Sequence, residues 1–121
     1  MFEPGHLHRA FAGMPGMPTG TIDVHYEVRN DPAEGQMMHF KVAGDIEGKT
    51  FVEEFDMHRD TAFNFASLIA KAVTKQGLPP AITPIMRNHV EYDAMFNDIR
   101  DKLGAKPGEA VNLDNLEKDG L

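Results

Sequence analysis

The chain of 121 residues has no cysteine and no tryptophan. Without thiols, disulfides, thiol chemistry and cysteine-based zinc sites are excluded, and the fold must rest on its core alone. Long apolar runs are missing as well: no window approaches the roughly 20 apolar residues of a membrane-spanning helix. Positive charge is scarce. Twelve Lys and Arg stand against 19 Asp and Glu, giving a formal net charge of −7, and no run of five basic residues occurs. Such a chain repels nucleic acid and anionic lipid, so neither is expected as a partner. The opening Met1-Phe2-Glu3-Pro4-Gly5 lacks the basic and apolar regions of a secretory signal, which makes the cytoplasm the expected location. No Walker loop, dinucleotide-binding glycine fingerprint, G-x-S-x-G elbow or H-E-x-x-H is present, so no cofactor is predicted and the enzyme reading loses ground.

What remains is an ordinary globular composition: 41% hydrophobic and 26% charged residues, with eight Phe and eight Met for an adaptable core. One domain of this length buries roughly two-thirds of its unfolded surface. It divides into a Gly/Pro/Met-rich N-terminal arm over 1–20, an α+β core over 21–104 and a polar tail over 105–121, where Leu113 and Leu116 can dock one helical turn. Gly and Pro in the arm predict a loop or extended segment.

From Thr21 the period is two. Ile22, Val24, Tyr26 and Val28 alternate with Asp23, His25, Glu27 and Arg29, the pattern of a half-buried strand. After a turn at 30–35, a second strand over about 36–46 sets Met38, Phe40, Val42 and Ile46 on one face. Glu47-Gly48 reads as a two-residue hairpin turn, followed by a third strand over 49–58. That turn fixes a register: Ile46 opposite Lys49, Phe40 opposite Phe55, Met38 opposite Met57. The polar faces then agree too, pairing Lys41 with Glu54 and His39 with Asp56. Glu53 dissents, a carboxylate on the apolar face opposite Val42.

Two helices follow. Asp60 is the candidate N-cap of one over 61–76, with Gly77 past its end and Pro79-Pro80 preventing continuation. Its polar residues form a narrow stripe, so more than one side must be covered. The second opens with Thr83 as N-cap and Pro84 at its first position, and runs to Leu103, with Gly104 as its stop. Ile85, His89, Tyr92, Phe96, Ile99 and Leu103 make its apolar stripe. The predicted fold is a three-stranded antiparallel meander, with a fourth strand available from the arm, and two C-terminal helices packed on one face. Two open sheet edges and surplus apolar helix surface predict a homodimer.

Candidate chemistry centres on histidine. His6-x-His8 puts two imidazoles on one side of an extended segment near Glu3, a metal-type pair whose ordinary reading is two solvated residues in an arm. If Ile22 opposes Val42, a row His25–His39–Asp56 crosses three strands, a divalent-metal or His–Asp acid–base set. A two-residue shift replaces it with Glu27–His39, and an ordinary solvent face with one ion pair is the plainer reading. His89, three residues before Tyr92, is a core histidine or a general acid–base group. Glu53 between Phe51 and Phe55 is an edge-strand charge that blocks aggregation, or an acid lining a pocket with His89 or Tyr92.

The stretches Met1-Phe2-Glu3-Pro4-Gly5-His6-Leu7-His8, Phe63-Asn64-Phe65-Ala66-Ser67-Leu68 and Tyr92-Asp93-Ala94-Met95-Phe96 resemble a small family of pseudomonad proteins of unknown function, with likeness over nearly the whole chain. The resemblance implies a bacterial single-domain protein and brings no activity, cofactor or site. The functional expectation is therefore a small non-enzymatic binding or regulatory module with a small ligand or protein partner. The alternative is a small enzyme using His and carboxylate acid–base or divalent-metal chemistry.

Overall fold

The computed structural model describes residues 2–11, 19–76 and 89–104; for Phe11 and His89 the backbone alone is described. The predicted meander is present and longer than expected. Five antiparallel strands lie in sequential order: β1 (Phe2–Glu3), β2 (His6–Phe11), β3 (Gly20–Asp31), β4 (Gly35–Ile46) and β5 (Lys49–His58). A single 3-10 turn (Ala62–Asn64) leads into α1 (Phe65–Lys75), and α2 (His89–Leu103) follows. The architecture is α+β, an antiparallel sheet with two helices. The helix starts predicted at Thr83-Pro84, the stops at Gly77 and Pro79-Pro80, and the tail with Leu113 and Leu116 lie outside the described residues.

The hairpin between β4 and β5 has the predicted register throughout, with Ile46 opposite Lys49, Phe40 opposite Phe55 and Met38 opposite Met57. Glu47 and Gly48 both take positive φ, 51° and 83°. That is the requirement of a two-residue turn matched to strand twist. Asp45 Oδ1 accepts the Gly48 N–H at 2.8 Å and closes the turn.

Three expectations need correction. First, the N-terminal arm supplies two strands, where at most one was expected. β1 and β2 form their own small hairpin, β2 pairs with β3, and Leu7 enters the core at 1% exposure. Arg9, on the inward side of β2, is tolerated because it donates to Glu91 of α2 at 2.8 Å. Second, β3 and β4 pair with Val24 opposite Val42, two residues from the register that puts Ile22 there. Third, Asp60 is not a helix cap. It takes an ion pair from Arg59 at 2.8 Å. Thr61 occupies the cap position of the 3-10 turn without a side-chain capping bond, and its hydroxyl donates to the His58 carbonyl instead.

The helices cover one face of the sheet. Phe40 of β4 stacks on Phe55 and Phe65, and Phe65 stacks in turn on Tyr92 of α2, with centroid separations of 5.1, 6.2 and 5.7 Å. This aromatic ladder runs from the sheet through α1 to α2. Around it lie Ile22, Val24, Met38, Met57, Ile69, Val73 and Ile99, all buried. Offset aromatic pairs add about 0.5–1.5 kcal/mol each beyond their area burial. Leu103 and Ile99 belong to the predicted α2 stripe, and Met95 is buried beside them. α2 ends at Gly104 as predicted, and Arg59 holds its last carbonyls, donating to Leu103 O and Gly104 O at 3.0 and 3.1 Å.

Candidate functional site

Strand alternation sends the other face of the sheet away from the helices. Five of the six histidines fall on that side: His6 and His8 on β2, His25 on β3, His39 on β4 and His58 on β5. Carboxylates alternate with them, because the same period that buries Val, Ile and Phe leaves every second residue polar.

The observed register sets the rows. His25 lies opposite His6 on one side and Lys41 on the other, and Lys41 lies opposite Glu54. The next row is Glu27–His39–Asp56. The predicted row His25–His39–Asp56 is therefore broken: Lys41, a cation that repels metal, stands beside His25, and Glu27 stands beside His39. The His39–Asp56 half survives at 2.7 Å through Nδ1, while His39 Nε2 faces Glu54 Oε1 at 3.0 Å. Only 12% of the His39 side chain is exposed. Its two ring nitrogens each face a carboxylate, Asp56 on one side and Glu54 on the other.

A second cluster sits on β2 and β3. Asp23 Oδ1 accepts from His6 Nε2 at 2.7 Å and from His8 Nδ1 at 2.8 Å. Burial pushes the Asp23 carboxyl up, but the two imidazole hydrogen bonds and charges prevail and hold it below its ordinary 3.8. His25 stacks on His6 with centroids 4.1 Å apart and rings 10° from parallel. Burial, then the neighbouring His6 and Lys41, keep His25 below its ordinary 6.5, against the pull of Asp23. His58, at the rim, meets Glu34 Oε2 at 2.8 Å. Among the described residues no group of three or more histidine or carboxylate side chains stands ready-arranged around a metal position.

A depression of about 400 Å³ on this face is lined by His25, Glu27, Arg29, His39, Lys41 and Glu54, together with Gly5 and Tyr26. Arg29 is committed to Glu27 through two donors at 2.8 and 3.0 Å. Lys41 makes no ion pair among the described residues, so its ammonium is the cation the depression offers.

The candidates on the helix side are placed differently. Glu53 is 24% exposed on the edge strand, accepts from Gln76 Nε2 at 2.8 Å and lies 3.4 Å from Lys75 Nζ. It is a paired carboxylate at the C-terminal end of α1. Tyr92 belongs to the aromatic ladder, against Phe65 and Phe96. His89 opens α2, and its side chain lies outside the described residues. A polar group not anticipated from the sequence does stand out. Asp98 of α2 accepts from Tyr26 Oη at 2.5 Å and from Gly5 N at 3.0 Å with one oxygen, and from Lys102 at 2.8 Å with the other. It ties α2 to the β1–β2 turn and to β3. The Lys102 bond, four residues on, was legible as helical spacing; the other two depend on β1 and β2 being strands.

The fold defines an α+β protein with an antiparallel meander roofed by helices on one side and a polar, histidine-bearing sheet face on the other. A family model for a domain of unknown function, DUF5064, matches residues 1–116, and the chain belongs to that family. A solved structure with the same fold is the solution structure of PA1076, an uncharacterised protein from Pseudomonas aeruginosa. It is 48% identical, with a TM-score of 0.70, and the match covers 98% of this chain and 94% of that one. No curated protein matches the chain. No helix among the described residues is long and apolar enough to cross a membrane.

Proposed function

We propose that this protein is a small non-enzymatic binding module of the cytoplasm, acting as a homodimer, whose ligand site is the depression on the open sheet face. One observation carries the reading: a depression of about 400 Å³ lined by charged and imidazole side chains, among them Lys41, which makes no ion pair among the described residues. An ammonium without a carboxylate partner is an anchor for an anionic group, while Glu27, Glu54 and His39 supply hydrogen-bonding partners around it. The ligand class is thus a small polar molecule with a carboxylate or phosphate end.

The test is a thermal-shift and NMR screen of small carboxylates and phosphates. Hits should raise the Tm of the native chain, perturb the amides of His25, His39 and Lys41, and lose effect in Lys41→Gln without lowering the unliganded Tm. Hits that persist in Lys41→Gln, or map to the helical side, would overturn the assignment. The dimer is tested by light scattering: a mass of 13.4 kDa, the monomer value, at high concentration would refute it.

A further inference from the structure

His6 and His25 are register partners on β2 and β3, and their rings stack with centroids 4.1 Å apart and planes 10° from parallel. Each ring gives one face to the other. The second face of His25 turns away from β2 toward β4, where Lys41 is its register partner. His25 and Lys41 both line the depression of about 400 Å³, while His6 backs the ring from outside it. The depression therefore has a flat π wall beside the Lys41 ammonium. We propose that its ligand is a planar aromatic monocarboxylate, with the ring stacked on the free face of His25 and the carboxylate on Lys41. This assignment rests on the depression being the ligand site and names the chemical class of the ligand.

The wall suits a flat, uncharged ring. Burial, then His6 and Lys41, hold His25 below its ordinary 6.5, against the pull of Asp23, so the imidazole is neutral at neutral pH. Two neutral rings stack without stripping water from an ion. The His6 ring already fixes His25, so a ligand orders little further side-chain freedom on binding. Residues directly opposite on neighbouring strands have Cβ atoms about 4.5–5.5 Å apart, so ring and carboxylate belong close together in the ligand. Charge then selects the head group. Arg29 is committed to Glu27 and Glu54 faces His39 Nε2. Lys41, which lines the depression, makes no ion pair among the described residues. One carboxylate matches one ammonium. A phosphate dianion brings a second negative charge against Glu27 and Glu54.

The test is NMR titration of the isotope-labelled full chain at neutral pH with benzoate, cyclohexanecarboxylate and phenyl phosphate. The two acids share charge and approximate size and differ in flatness. Benzoate should bind about 2- to 10-fold more tightly than cyclohexanecarboxylate, with its ring protons moved upfield by the stacked imidazole, and phenyl phosphate should bind more weakly than benzoate. His25→Phe should keep the preference for the flat ring. His25→Leu should abolish it while leaving cyclohexanecarboxylate affinity as it was, and Lys41→Gln should weaken both acids. Equal affinities for the two acids, or a preference that survives His25→Leu in a chain whose amide spectrum matches the native protein, would overturn the stacking and leave the anion site standing. Tighter binding of phenyl phosphate would overturn the monocarboxylate assignment. No saturable binding of either acid, or binding indifferent to Lys41→Gln, would overturn both the ligand class and the site.

Discussion

At the residue scale the most consequential polar group is Asp98. Burial raises its carboxyl, yet donors from Lys102, Tyr26 and the Gly5 amide together hold it below the ordinary 3.8. One side chain thereby joins a helix, a turn and a strand. Asp98→Ala removes the acceptor and strands the Tyr26 hydroxyl in a nearly closed environment, Tyr26 being 5% exposed. A buried donor left unmatched costs more than a hydrogen bond gains. The expected loss is about 2–4 kcal/mol in urea unfolding, whereas Tyr26→Phe, which leaves Gly5 and Lys102 on the carboxylate, should lose only about 1–2 kcal/mol. Equal losses would show that the hydroxyl bond dominates and that Asp98 is not a hub.

At the element scale the two long hairpins explain what was legible in the chain and what was not. The β4–β5 hairpin could be read because Glu47-Gly48 permits one loop length, and both faces then agreed. The β3–β4 hairpin could not, because 30–35 is made of turn-forming and small residues throughout and several loop lengths fit. The loop is in fact short. Asp31 pairs with Gly35, Asp31 Oδ1 accepts the amides of Ala33 and Glu34, and Gly35 takes φ 81°. The signal was an Asp two and three residues ahead of those amides with a glycine after them, and missing it displaced His25 from Lys41 to His39. β2 was obscured for another reason: its inward positions include Arg9, whose partner Glu91 is 82 residues away. Capping reasoning failed at Asp60 because Arg59 next to it claims the carboxylate. The hairpin that was legible is also improvable. Glu47 is the one non-glycine residue at positive φ among those described, and Asn suits that position far better. Glu47→Asn should raise stability by about 0.5–1 kcal/mol, seen as a higher Tm by circular dichroism. An unchanged or lowered Tm would mean that the turn is held by Asp45 rather than by its own backbone preference.

At the scale of the whole molecule, the titrating groups set limits on stability at both ends of the pH range. Asp23 on the open face and Asp98 under α2 both titrate below 3.8 in the fold, so the stability they contribute is present above that pH and is lost as pH falls through their folded values. His25, held below 6.5, works in the same direction: below that pH the unfolded chain takes up a proton sooner than the fold does. Tyr26 is opposite in sign. Burial first, then its hydrogen bond to Asp98, drives its hydroxyl far above the ordinary 10.0. Its contribution is intact below pH 10 and declines above it, where the unfolded chain ionises and the fold resists. These four groups together favour a stability plateau from about neutral pH to about pH 10. Measured by urea unfolding across pH 3–11, the advantage of the native chain over Tyr26→Phe should be constant through the plateau and shrink above pH 10. The advantage over Asp23→Asn should shrink only below about pH 4. A Tyr26→Phe difference that stays flat to pH 11 would show that the hydroxyl is open to water in solution, and that the lock between β3 and α2 is looser than its geometry requires.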